Sequence, residues 1–218
     1  MSLSVPADFG RAAFVESVEA FVCTVDGLEE LELLGASRCH GWTRLDVVVH
    51  VLAGWQEVLG GLVSRTSDRP TVDAASYWTG FAAATAGEDP VAELMAQRRR
   101  TASFARPSSA VAQLRDVAAA VQRGAAGPEE GRVFQGEVLT VGDFLATWAV
   151  EDVVHHLDLR CEGAVPAKAL GLARTTIEEL AGQVLPTDDD VEAVLVGAGR
   201  RSAPAGWGDV ARRVPVLG

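Results

Sequence analysis

Cysteine is scarce in this chain of 218 residues: Cys23, Cys39 and Cys161, an odd number at no metal-like spacing. That excludes a disulfide framework and suits a reducing compartment, so the cytosol is the expected location. None of the three lies in a local Cys/His arrangement, and each is read as an inert buried thiol. Positive charge is also short. Nineteen Lys and Arg stand against 30 Asp and Glu, a net charge of −11. Such a surface suits neither nucleic acid nor an anionic membrane. No apolar run reaches the roughly 18 residues of a membrane span. The start, MSLSVPADFGRAAF, lacks the basic-then-apolar order of a signal peptide. There is no Walker loop, Rossmann fingerprint, Gly-x-Ser-x-Gly or His-Glu-x-x-His, no repeat and no low-complexity segment. What remains is globular, 48% hydrophobic and 22% charged, long enough for one sizeable core or one domain with a small appendage.

The segments that are present read mostly as helices. Residues 8–34 carry apolar positions three and four apart, with Gly27 as a break or bend, and Gly35–Gly41 is a loop. Thr43 and Asp46 have capping-box spacing and open a helix over Arg44–Val63. Tyr77, Trp78 and Phe81 suggest a short helix packed on the bundle, or a lid, since long connections often cover sites. Asp89 with Pro90 starts a third helix, with Val91, Leu94, Met95, Ala102 and Phe104 apolar. Within it, Gln97 to Arg100 is a basic cluster, read as a solvated face with an anionic ligand as the alternative. Pro107 ends or kinks that helix, and Ser108 or Ser109 restarts it. Residues 132–139 are expected to be extended. Thr140 and Asp143, again at capping-box spacing, open a helix to Cys161. Beyond Pro166, residues 167–184 read as another helix and Val191–Val196 as a short strand. The expected architecture is mainly α. Residues 1–165 form a four-helix bundle, and residues 166–218 a small C-terminal α/β extension of a helix plus a short strand.

The last long helix carries the chemistry. At about 100° per residue its side chains sort into three stripes. Asp152, His156 and Arg160 share a polar stripe expected to face water, and Ala146, Val150, Val153, Val154 and Leu157 an apolar one. The third runs Phe144, Trp148, Glu151, His155, Asp158, from core aromatic to Glu, His and Asp. Glu and His four apart can reach one point, half of a common metal site; the alternative is an ion pair on a wet face. In the second helix, His50 lies between Asp46 and Glu57, a spacing that alone points it to water. Against that, Gly54 is expected to leave space beside the imidazole, and Asp46 to orient the ring as an acceptor.

Two segments, GWTRLDVVVHVLAGW (Gly41–Trp55) and TVGDFLATWAVEDVVHHLDLR (Thr140–Arg160), resemble the DinB-like superfamily, in particular its mycothiol-dependent maleylpyruvate isomerases. VLVGAGRRS (Val194–Ser202) is similar to a Gly-x-Gly-Arg segment in shorter members. The resemblance implies a DinB-like bundle in which His50, Glu151 and His155 hold a divalent metal, zinc by preference. It implies mycothiol, the small thiol of actinobacteria, as the thiol cofactor. In the isomerases a thiolate adds to a conjugated double bond, the new single bond rotates, and the thiolate leaves. Transferases of the superfamily stop after the addition. Asp46 and Asp158 are then candidates behind the metal ligands. Arg200 is a candidate for a substrate carboxylate, its alternative being a surface arginine beside Arg201. The residues after 165 look short for the second domain of the isomerases.

The leading reading is therefore a thiol-dependent transferase or isomerase acting on a small electrophile. A metal-dependent hydrolase assisted by Asp158 or Asp46 is the second. The third is a metal- or ligand-binding bundle without turnover, a homodimer through an apolar helix face. A fourth protein ligand, such as Asp158 closing the site, would favour that one.

Overall fold

The computed structural model describes residues 2–87 and 89–217, so the outer ends of the two expected units, Met1 and Gly218, lie outside it. The helices are α1 (Ala7–Asp26), α2 (Glu30–Leu33), α3 (Arg44–Val63), α4 (Ser76–Thr85), α5 (Pro90–Thr101), α6 (Pro107–Ala125), α7 (Val141–Asp158), α8 (Ala167–Ala181) and α9 (Asp190–Gly197), with a 3-10 segment over Ala205–Arg212. The chain is mainly α, with α1, α3, α6 and α7 as the four long helices. In the bundle α1 packs on α7 and α6, and α3 on α6 and α7. Strands β1 (Arg65–Thr66), β2 (Gly131–Phe134) and β3 (Glu137–Leu139) form an antiparallel sheet in that order, with Arg132 opposite both Arg65 and Leu139.

Local chemistry sets these boundaries. Thr43 and Asp46 form a complete capping box at the start of α3. Thr140 completes only half of one: it accepts from the Asp143 N–H, while Asp143 Oδ1 takes the Val5 N–H at 2.7 Å. That bond ties the N-terminal segment across α7. The approach is close enough that a Cβ on Gly142 would lie 2.0 Å from the Val5 carbonyl oxygen, so only glycine fits. Glycines on α3 admit the aromatics of α7 in the same way. A Cβ on Gly61 would lie 2.5 Å from Phe144 Cζ, and one on Gly54 2.9 Å from Trp148 Cζ3. The space expected beside His50 at Gly54 is filled by that indole.

Several expectations are corrected. The first helix stops at Asp26, and Glu30–Leu33 is a separate turn of helix after Gly27. On α5 the apolar Val91 and Met95 are exposed, while Gln97 is buried and donates to the Asp46 carbonyl at 2.8 Å. Val191–Val196 is helical, not a strand, so among its described residues the C-terminal extension carries no strand. Asp189 caps that helix through the N–H groups of Val191 and Glu192, and Ala193 to Gly197 are buried without the alternation of a half-buried strand. The stripe of Asp152 and His156 does not face water either. Both are buried, because α1 covers that side of α7. Asp152 accepts from Trp55 Nε1 and from Ser17 Oγ, each at 2.8 Å. His156 lies edge-on to Phe21; Arg160 alone of the three is exposed.

One apolar core runs from Val5 to Leu217 and takes in α8 and α9 with the bundle. Helix α3 is long and apolar enough to cross a membrane by length and composition, but 56% of that stretch is buried inside the protein. Its apolarity is that of a core helix.

Candidate metal centre

Helix α3 presents His50 and α7 presents Glu151 and His155 to one point. Glu151 Oε1 lies 3.3 Å from His50 Nε2 and 3.1 Å from His155 Nε2. The two imidazole rings meet edge to face, 4.6 Å between centroids. A ligand atom from each of the three lies within 4.8 Å of the others. Two imidazole nitrogens and a carboxylate oxygen are a donor set that suits zinc and similar divalent ions. His155 is buried; His50 and Glu151 are half-buried.

The surroundings fix the charges. Burial pushes the Glu151 carboxyl up, but the His155 charge and the bonds from both histidines outweigh it and hold the carboxyl well below its usual range. Burial also pushes His155 down, and here the Glu151 charge and bonds to Asp158, Cys39 and Glu151 win and hold the ring well above its usual value. His50 goes the other way: burial lowers it beyond what its bond to Glu151 restores, and the positive His155 and Arg100 add to the lowering. The two imidazoles around the single carboxylate are thus pushed in opposite directions.

A second set of residues stands behind His155. Its Nδ1 donates to Asp158 Oδ2 at 3.0 Å, which leaves Nε2 facing Glu151. Asp158 is fully buried and pairs with Arg200, whose Nε lies 3.0 Å from Oδ1. Burial pushes that carboxyl up, but His155 and Arg200 together bring it down to about 2. Cys39 Sγ donates to the same Oδ2 at 3.1 Å and lies 3.7 Å from Arg200 Nη2. Asp158 therefore sits on the far side of the ring from Glu151 and does not close the site as a fourth ligand.

Of the expected residues, the structure brings together His50, Glu151 and His155, with Asp158 behind them. Asp46 stands apart: Oδ2 of its carboxylate takes the backbone N–H and the hydroxyl of Thr43, both at 2.8 Å, and it makes no bond to His50 among the described residues. Arg200 does not line the cavity over the site; it orients Asp158. One residue was missed: Cys39 touches Asp158 across 119 positions and has no local signal. Arg100, from the basic run read as a solvated face with an anionic ligand as the alternative, lines the cavity beside His50.

That cavity has a volume of about 230 Å³. His50 and Glu151 lie on its wall with Thr147 and Gln135, and Tyr77, Trp78, Phe81 and Trp148 give it aromatic faces. Helix α4 thus serves as both packing and cover. Tyr77 donates to Gln135 at the tip of the β2–β3 hairpin, 2.9 Å away, which ties α4 to the sheet over the site.

The fold and site define a helical bundle with a His/Glu/His cluster between its second and fourth long helices. The chain belongs to the mycothiol maleylpyruvate isomerase N-terminal domain family, whose profile matches residues 14–160. No curated protein matches it by sequence. Among solved structures it is similar to a mycothiol-dependent maleylpyruvate isomerase and to a point mutant of that enzyme, each at 14% identity with a TM-score of 0.61. Each match covers 91% of this chain and 91% of the other. The likeness extends to the fold along nearly the full length, so the residues after 165 are not short against that structure.

Proposed function

We propose that this chain is a metal-dependent enzyme that uses a low-molecular-weight thiol, mycothiol by family, to isomerise or derivatise a small electrophile. The observation that carries the reading is the convergence of His50, Glu151 and His155, with His50 and Glu151 on the wall of a partly open cavity. A divalent metal held by these three, zinc by their donor chemistry, would stabilise a bound thiol as its thiolate at neutral pH. Asp158 and Arg200 hold the His155 ring with Nε2 towards Glu151, and the Nε2 proton is the one that metal binding displaces. Tyr77, Trp78 and Trp148 give apolar faces to the space where an electrophile would sit. Asp158, committed to Arg200 and His155, is not placed to act as a general base, which disfavours the hydrolase reading. The same commitment leaves three protein donors at the site, which disfavours the binding-only reading. Residues 1–165 supply the ligands in this scheme, and residues 166–218 supply Arg200 behind them.

The test is metal content per chain by elemental mass spectrometry, followed by conversion of maleylpyruvate with and without mycothiol. We expect about one equivalent of a divalent metal and a reaction that needs the thiol. His50→Ala, Glu151→Ala and His155→Ala should each lose the metal, while His156→Ala, on the α1 side of α7, keeps it. A chain that cannot be loaded with metal, or that loses it equally in His156→Ala, overturns the reading.

A further inference from the structure

Behind the proposed metal centre a second donor cluster is built on the same histidine. Cys39 Sγ lies 3.1 Å and His155 Nδ1 3.0 Å from Asp158 Oδ2. One ligand atom from each of the three lies within 4.8 Å of the others. His155 and Asp158 are buried on one face of α7, three residues apart, and Cys39 is half-buried. The loop that carries Cys39 is fixed to the end of that helix. Arg38 donates from its backbone N–H to the Asp158 carbonyl and from Nε to the Leu157 carbonyl, each at 2.9 Å. Ser37 Oγ takes the Cys39 N–H at 3.1 Å. Cys23 and Cys161 line a different cavity and join no such cluster among the described residues.

The spacing suits a metal ion as well as it suits hydrogen bonds. Around a tetrahedral ion with bonds of about 2.0–2.3 Å, neighbouring donors stand about 3.3–3.6 Å apart, so only a small outward shift is needed. Arg200, whose Nε lies 3.0 Å from Asp158 Oδ1, would repel an added positive charge, but none is added. Two hydrogens point at Asp158 Oδ2, one from Cys39 Sγ and one from His155 Nδ1. A divalent ion that bonds to the sulfur and the nitrogen releases both as protons, so the net charge beside Arg200 is unchanged. This donor set holds a thiolate, which the set of His50, Glu151 and His155 lacks, so it selects softer ions.

We propose that Cys39, His155 and Asp158 form a second metal site, selective for a thiophilic divalent ion such as cadmium, which competes with the first site for His155. Bound through Nδ1, the ring keeps its Nε2 proton on Glu151 and cannot serve the first site. The competition rests on the reading of His50, Glu151 and His155 as a metal site; the second site itself does not.

The test adds Cd²⁺ alone to the chelator-treated and to the zinc-loaded protein. It follows the thiolate-to-metal charge-transfer band in the ultraviolet, with zinc and cadmium content by elemental mass spectrometry. We expect a band that saturates near one equivalent of cadmium per chain, and loss of zinc in step with it. Cys39→Ser should lose the band and keep its zinc at the Cd²⁺ concentration that empties the parent. His155→Ala should lose the band. Glu151→Ala, which breaks only the first site, should keep it, as should the double variant Cys23→Ser, Cys161→Ser. No band, a band that survives Cys39→Ser or His155→Ala, or a Cys39→Ser protein that loses zinc as the parent does, overturns the proposal. A chain that takes no zinc but shows the Cys39-dependent band would count against the proposed function and leave the second site standing.

Discussion

Removing Arg200 should loosen the proposed metal site without touching a proposed ligand. Arg200 neutralises Asp158, and Asp158, fully buried, holds His155 Nδ1. The Asp158 carboxyl lies at about 2, against an ordinary value of about 3.9. Because that pKa is depressed, the carboxylate stabilises the fold above pH about 3.9, and the contribution is lost as pH falls towards about 2. A shift of that size is worth about 2.6 kcal/mol at pH 7, shared between His155 and Arg200. Stripping a buried ion of its partner costs about 3–5 kcal/mol. Arg200→Met leaves the His155 bond in place, so we expect a loss of about 2–3 kcal/mol, below the full penalty. With the carboxylate less firmly held, metal affinity should fall about 10- to 100-fold, the usual cost of losing a partner behind a ligand. Urea unfolding at pH 7 reads the first quantity and chelator competition the second. Asp158→Asn removes the charge that Arg200 exists to balance, so the double variant should lose less than the sum of the two singles. Additive losses, or an Arg200→Met protein within about 0.5 kcal/mol and twofold of the parent, would refute a chain of support from Arg200 through Asp158 to His155.

The buried Asp152 gives a pH prediction. Burial pushes its carboxyl up to about 7, against the bonds from Trp55 and Ser17. A raised carboxyl costs stability progressively as pH climbs from about 4, where the unfolded chain ionises, to about 7, where the folded chain does. Asp152→Asn can still accept from Trp55 and donate to Ser17 Oγ, whose own proton goes to the Phe14 carbonyl. Its stability relative to the parent should therefore rise between pH 4 and 7, by at most about 4 kcal/mol, and then level off; a pH-independent difference in denaturant midpoints would contradict this. Gly61→Ala would gain about 1 kcal/mol of helix propensity but places a Cβ 2.5 Å from Phe144. Overpacking costs about 1–3 kcal/mol, so a lower melting temperature is expected, and a higher one would mean that the α3–α7 contact is looser than described.

The last long helix shows how far local pattern reaches. Glu151 and His155 share a stripe because the α-helix repeats near four residues, and that much was readable from the letters. Thr43 with Asp46 and Asp89 with Pro90 marked helix starts for the same reason: caps are local chemistry. His50 was ambiguous, since a polar residue between Asp46 and Glu57 reads as solvated, and only the family resemblance turned it inward. What periodicity could not supply was the number of neighbours each face has. Helix α7 is enclosed on nearly every side, so Asp152 and His156, polar by letter, are core residues satisfied by Ser17 and Trp55 or packed on Phe21. Helix α5 is the reverse, with Val91 and Met95 left in water. Val191–Val196 failed as a strand because a fully buried apolar run has no period to read, and the Asp189 cap made it a helix.

The sequence by itself thus determined most of the helices, their caps and the shared stripe of Glu151 and His155, all set by interactions within a few residues. The tertiary structure alone decided that Arg200 pairs with Asp158 and that Cys39 joins them. Those contacts join residues 42, 119 and 161 positions apart. Over such separations only the packing of whole helices, driven by burial of their apolar faces, brings particular side chains together.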